Sequence, residues 1–139
     1  MILLDTSGLL AAIATDEPRH AESLTAFSSD QGPFVVSPFV LAEEDHHIVR
    51  RIGIGTELSL LANVAAGPYE LAPFTIDDVG RAAVAIERYD NLAIGLADAS
   101  IVVLAGRYGT NRVLTLDERH SRAMRTPQGD PFVVLPADA

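Results

Sequence analysis

Short apolar runs alternate with longer stretches of helical spacing along this chain. MILLD at 1–5 is an unbroken apolar run ending in an acid, the pattern of a buried strand. TSGLLAAIA follows, with Thr6 or Ser7 as a helix cap. Pro18 permits a second helix start, and RHAESLTAF is helical in pattern through Phe27. SSDQGP is a turn, and FVVS predicts a second short strand. Ser37 followed by Pro38 marks a helix start, and PFVLAEEDHHIVRRIG has helical spacing through Phe39, Ala42, His46 and Val49. Gly53 and Gly55 interrupt it. TELSLLANVAAG predicts a helix capped by Thr56 and stopped by Gly67. YELAPF is a short strand or an extended link. Thr75 caps IDDVGRAAVAIERYDN, whose first turn carries acids. GLADASIVVLAGRYG is a helix stopped by Gly109, RVLTLD a strand that again ends in an acid, ERHSRAM a short helix and FVVLP a last strand. The final PADA is expected to fray.

Strands separated by helices, each strand short and β-branched, predict an α/β fold: a mostly parallel central sheet with helices on both faces. The 139 residues fit a single domain spanning 1–139, and a 48% hydrophobic content argues against disorder. No repeat or linker interrupts it. The N-terminal apolar run lacks a basic flank and is broken by Asp5, and no run reaches the length of a membrane span. The expectation is a cytoplasmic protein with no membrane contact. There is no cysteine, which excludes disulfides, thiolate metal sites and a cysteine nucleophile. The net charge is −9 and every basic residue is arginine. That argues against a non-specific nucleic-acid coat and excludes lysine-based phosphate cradles and Schiff-base chemistry. It does not exclude a nuclease, because local arginines hold phosphates and bound cations offset clustered acids.

The acids carry the candidate chemistry. Open parallel sheets bind ligands beyond the carboxyl ends of their strands, and Asp5 and Asp117 close two apolar strands there. For Asp117 the plainer reading is a cap on the helix that follows. Asp98 lies in an otherwise uncharged apolar helix, where a carboxylate is costly unless paired, hydrogen-bonded or metal-bound. Its plainer reading is an N-cap with the helix starting at Ala99. Glu43 shares a helix face with Phe39, but spacing leaves Glu43 and Glu44 open. Hard divalent cations take oxygen ligands, and such a cluster needs cations to relieve its own repulsion. The chemistry this permits is phosphodiester hydrolysis.

LLDTSGLLA at 3–11, VVSPFVLAE at 35–43, IGLADASIVVLA at 94–105 and VLTLDERH at 113–120 stand in the order and at the spacing of the PIN-domain family. The chain resembles its VapC-type members, the toxins of bacterial toxin–antitoxin pairs, over nearly its whole length. The resemblance implies a PIN-like three-layer fold with Asp5, Glu43, Asp98 and Asp117 as catalytic and metal-binding acids, which selects Glu43 over Glu44. Thr6 and Thr115 match supporting polar positions. A fifth acidic position falls on Asn91, with Asp90 beside it, so its role passes to one of the two. The implied activity is a magnesium- or manganese-dependent endoribonuclease acting on tRNA, rRNA or mRNA. The implied partners are RNA, a second copy in a homodimer, and a VapB-type antitoxin, with DNA contacted only through the antitoxin.

Arg112, Arg119, Arg122 and Arg125 flank the last acidic motif and are the candidate RNA contacts. The four histidines lack partners at metal spacing and read as surface or interface residues. Apolar faces on 56–66 and around Leu41, Ile48 and Ile52 are core or partner surface. Three other readings compete: a phosphatase or DNA nuclease using the same metals, a receiver domain, and a catalytically silent PIN-like binding module. The receiver domain wants a late lysine that is absent here. A Rossmann nucleotide site is disfavoured because no Gly-rich loop follows MILLD.

Overall fold

The computed structural model describes residues 1–139. Five strands, β1 (Ile2–Leu4), β2 (Phe34–Val36), β3 (Tyr69–Leu71), β4 (Arg112–Leu114) and β5 (Val133–Leu135), form one sheet in the order β3-β2-β1-β4-β5. Every pairing is parallel. Helices flank the sheet, as the alternation predicts. They are α1 (Thr6–Ile13), α2 (His20–Ser29), α3 (Pro38–Arg51), α4 (Ile54–Ala66), α5 (Ile76–Arg88), α6 (Leu96–Tyr108) and α7 (Glu118–Ala123). No helix is long and apolar enough to cross a membrane.

Strand order reverses direction between β1 and β4. That reversal opens a crevice at the carboxyl ends of those two strands, because the connections leaving them diverge. β1 and most of β4 are fully buried, so the acids that follow stand where the chain leaves the core. α6 is the central helix, buried from Ala99 to Ala105, which explains its unbroken apolar character.

Several boundaries and faces differ from the sequence expectation. Thr6 and Ser7 lie inside the first turn of α1, with Asp5 at its N-cap. α4 begins at Ile54 after Gly53, two residues before the expected Thr56 cap. The buried face of α3 is Val40, Glu44 and Ile48, not the stripe through Phe39, Ala42, His46 and Val49. That helix is clamped by α4 as well as by the sheet side, so its inner stripe is narrow and rotated from the apolar maximum. The C-terminus does not fray: the Asp138 carboxylate accepts from both terminal nitrogens of Arg122 at 2.7 and 2.8 Å and from the Val134 amide at 2.8 Å. Thr75 does cap α5, in a reciprocal capping box with Asp78.

Gly8 seats α1 on β4. A Cβ there would lie 2.2 Å from the Leu114 carbonyl oxygen and 2.7 Å from the Thr115 nitrogen. Both are backbone atoms that cannot swing aside. Gly8→Ala is therefore expected to cost about 2–3 kcal/mol and lower Tm by roughly 10 °C, as read by thermal unfolding. An unchanged Tm would show that α1 shifts freely on the sheet.

Candidate active site

Asp5 stands at the end of β1. Its carboxylate makes no capping bond to α1. It accepts instead from Thr115 Oγ1 at 2.7 Å. Thr115 is buried one residue beyond β4, and its oxygen accepts from the Asp117 amide at 3.0 Å. The single Thr115 proton goes to Asp5, so Ser7 donates in the 3.1 Å contact between Ser7 Oγ and Thr115 Oγ1. Ser7 Oγ in turn accepts from the Leu116 amide at 2.9 Å. A directed chain of hydroxyls, Ser7 to Thr115 to Asp5, thus locks the Asp5 carboxylate and the start of the 115–117 segment together.

Glu43 lies in the second turn of α3, where Thr6 Oγ1 donates to its Oε2 at 2.8 Å. Ser37 caps that helix by accepting from the Phe39 amide at 3.1 Å. Buried Ser100 directs its hydroxyl proton toward both the Ala97 carbonyl at 2.6 Å and Ser37 Oγ at 2.7 Å. The start of α3 is thereby tied to the first turn of α6, which carries Asp98. Asp98 is three residues past the Gly95 N-cap, so it is not the cap that its plainer reading requires. Asp117 is a cap: its Oδ1 accepts from the His120 amide at 3.1 Å at the start of α7. The N-termini of α1, α6 and α7 all face these acids, and their dipoles favour negative charge there.

The acids feel one another. Burial pushes Asp5 up to about 6, with the Asp98 and Asp117 charges adding to the rise and the Thr115 bond opposing it. Asp98 is also raised, by burial first; nearby His120 opposes the rise, while the Asp117 and Glu43 charges add to it. Four carboxylates from four segments therefore share one electrostatic neighbourhood at the strand-order reversal.

The PIN-domain family profile matches residues 2–125. Ribonuclease VapC26 of Mycobacterium tuberculosis is 42% identical over 135 residues, covering 97% of this chain and all of the relative. This chain belongs to the PIN-domain family, among its VapC-type members. The crystal structure of Mycobacterium tuberculosis VapC20, titled a sarcin–ricin loop cleaving toxin, superposes with a TM-score of 0.81 at 21% identity. It covers 88% of this chain and 95% of that one. At that identity the likeness establishes the fold.

His120 is the residue that sequence reasoning missed in this PIN domain. Read as a surface or interface residue, it instead stands between two of the acids, with Nδ1 2.9 Å from Asp117 Oδ2 and 3.5 Å from Asp98 Oδ2. The approach is not aligned as a hydrogen bond, and Nδ1 has no other partner. The available signal was its spacing of three from Asp117, which puts both on one side of the α7 start. Testing histidines only against one another hid it. His46 and His47 are exposed, as expected, and half-buried His20 approaches the Ala11 carbonyl oxygen at 2.8 Å.

Glu44 is the other surprise. It is fully buried and both its oxygens lack hydrogen-bond partners; Glu57 of α4 is also buried, and its oxygens lack partners too. Burial pushes Glu44 up to about 8, with the charges of Asp5, Glu57 and Glu43 adding to the rise. Asp90 and Asn91 lie exposed in a 3-10 turn at Asp90–Leu92, and their side chains make no hydrogen bond to the four acids.

The four flanking arginines divide. Arg112 sits at the amino end of β4, the opposite end of the sheet from Asp5, and pairs with Asp30 at 3.2 Å. Arg122 is bound to Asp138 and Glu118. Nearness in sequence to Asp117 misleads for both, because a strand carries its two ends apart and a helix turns Arg122 toward the C-terminus. Arg119 and Arg125 are exposed and carry no ion pair.

No three His, Asp or Glu side chains converge to hold one metal ion as they stand. The donor chemistry nevertheless fits a hard divalent cation. All four acids offer oxygen only, and the upward push on Asp5 from Asp98 and Asp117 is the repulsion a cation relieves. Magnesium usually keeps several waters and takes one or two carboxylates directly, so full convergence of the acids is not required. Thr115→Val removes the larger of the two hydrogen bonds that hold Asp5 down, leaving the one from the Thr6 backbone. The acidic limb of any cleavage pH profile is expected to move up by about one unit, measured as rate against pH. A limb that stays in place would separate Asp5 ionisation from the reaction.

Proposed function

We propose that this protein is a magnesium- or manganese-dependent endoribonuclease toxin, held in check by a cognate antitoxin. The observation that carries this reading is the gathering of Asp5, Asp98 and Asp117 at the crevice between β1 and β4, where burial raises Asp5 and Asp98 and the Asp98 and Asp117 charges add to the rise of Asp5. Asp5 and Asp98 would hold the cation directly, and Glu43 and Asp117 would hold it directly or through water. When bound, the cation supplies charge neutralisation for a phosphodiester and lowers the pKa of water. Thr115 and Ser7 fix the direction in which Asp5 presents its oxygens. Thr6 does the same for Glu43, and His120 holds its ring against Asp98 and Asp117. Thr6 and Thr115 are thus positioning residues, and of the exposed pair at the fifth position only Asp90 can add a charge. Arg119 and Arg125 are free to meet phosphates.

The expected partners also have surface to bind. Ile54 and Leu58 of α4 are 69% and 60% exposed, next to exposed Val49 and Ile52 at the end of α3. A second copy or an antitoxin segment buries such a face.

The deciding experiment incubates antitoxin-free protein with total cellular RNA, with magnesium or manganese and with chelator, and maps new RNA ends. Discrete ends that require the metal support the reading. A catalytically silent PIN-like binding module is the second reading. No new ends from folded, metal-supplied protein would select that module.

A further inference from the structure

A cleft of about 580 Å³ lies between α5 and α6, and none of the four acids lines it. That volume is within the range of ligand sites. Its floor is apolar, built by Ala85 and Val84 of α5 and by Val102, Val103 and Gly106 of α6. Its rim is cationic: Arg81, Arg88 and Arg107 line it against one acid, Asp78, a surplus of two positive charges in a protein of net charge −9. Three of the ten arginines therefore border one cleft.

The arginines are not equivalent. Arg107 is committed to the Asp78 carboxylate and the Pro73 carbonyl, which makes it part of the wall. Arg81 touches Asp78 at 3.2 Å but is 65% exposed, and Arg88 is exposed with no ion pair. These two can turn to a ligand. Pro127 closes the far side, where a Cβ on Gly106 would meet its Cγ at 2.7 Å.

α6 carries residues of both the acidic site and the cleft. Asp98, Val102 and Gly106 are spaced by four, so they lie along one stripe of that helix. The stripe that presents Asp98 to the acids becomes the cleft floor one turn later. α5 runs antiparallel to α6, since Asp78 at its start pairs with Arg107 near the end of α6. Arg88 and Tyr89 are therefore at the Asp98 end of the cleft, where the Tyr89 hydroxyl also accepts from the backbone amide of Arg125. From Asp98 to Arg107 the path is on the order of 14 Å at 1.5 Å per residue.

We infer that the α5–α6 cleft is a subsite for the single-stranded RNA leaving the acidic site, with Arg81 and Arg88 on its phosphates and the apolar floor under its sugars and bases. Cationic edges over an apolar floor are what a single strand asks for, because its backbone is charged and its unstacked bases are not. An acidic cluster repels RNA on its own, so a substrate-holding surface has to lie beyond it, and this cleft starts where Asp98 ends. The inference rests on the ribonuclease reading for its choice of ligand.

The test is a binding measurement that needs no turnover. The Asp98→Asn protein, full length, is titrated with a fluorescein-labelled single-stranded oligoribonucleotide of mixed sequence over a range of salt. The same is done after adding Arg81→Ala and Arg88→Ala together. Loss of two phosphate contacts is expected to weaken binding about tenfold or more and to reduce the slope of log affinity against log salt by roughly 1.4. Arg81→Lys with Arg88→Lys is expected to restore the slope. Affinity and slope unchanged by the alanine pair overturn the inference and leave the rim to another class of ligand, such as an acidic peptide. Equal loss in the lysine pair overturns it too, as a packing effect. Failure of the ribonuclease reading shows separately, as wild-type protein that generates no metal-dependent RNA ends.

Discussion

Asp98→Asn is expected to abolish metal-dependent RNA cleavage, by about 100-fold or more, while leaving the fold as stable as before or more so. Losses of that size follow when a charge that stabilises a phosphoryl transition state is removed. The stability half of the expectation comes from repulsion. Asp98 is half-buried in the first turn of α6 and its charge helps to push Asp5 up. Asparagine keeps the shape and removes the charge, so Asp5 ionises more readily in the variant. Opposite signs for activity and stability mark a residue kept for chemistry at a cost to the fold. Cleavage of total RNA and thermal unfolding, each measured on both proteins, check the two halves. Cleavage retained within about tenfold of wild type would remove Asp98 from the machinery.

Glu44→Gln is expected to raise Tm at pH 8–9 by roughly 10 °C and to leave it nearly unchanged near pH 4. Burial holds the Glu44 carboxyl at about 8 in the folded protein against 4.5 for the ordinary group. The folded state therefore binds a proton more tightly than the unfolded chain does. Stability is full below the ordinary value, declines as pH rises through the window between 4.5 and about 8, and stays reduced above it. Each unit is worth about 1.4 kcal/mol, and relaxation around the charged form reduces the total to on the order of 3 kcal/mol. Glutamine has the same length and nothing to titrate. Unfolding curves against pH in chelator, for both proteins, are the measurement. Parallel curves would mean that Glu44 is solvated when charged.

Why a protein keeps two unpartnered buried glutamates is answered by neither the family pattern nor the composition. Glu44 and Glu57 are both buried in a molecule where α3 and α4 pack against each other, and each is unremarkable within its own helix. The same distinction runs through the whole molecule. Four of the five strands and the order of helices were legible along the chain, because strand and helix periods are local and the buried strands are short unbroken apolar runs; exposed β3 lacks such a run, and YELAPF reads equally as an extended link. Thr75, Ser37 with Pro38, and the stops at Gly67 and Gly109 were legible for the same reason: capping is decided within one turn. The acids Asp5 and Asp117 were legible as chain exits from buried strands, and the family pattern selected Glu43.

Tertiary structure alone decided the rest. The sheet order placed β1 beside β4 and so brought residues 5 and 117 together. The hydroxyl chain from Ser7 through Thr115 to Asp5 spans more than a hundred positions and leaves no periodic trace. Glu43 meets Thr6 while its neighbour Glu44 is buried, a division set by the packing of α3 against α1, α4 and α6. His120 entered the site and Arg112 left it for one reason. Direction from an element end is set by packing, and distance in sequence says little about it.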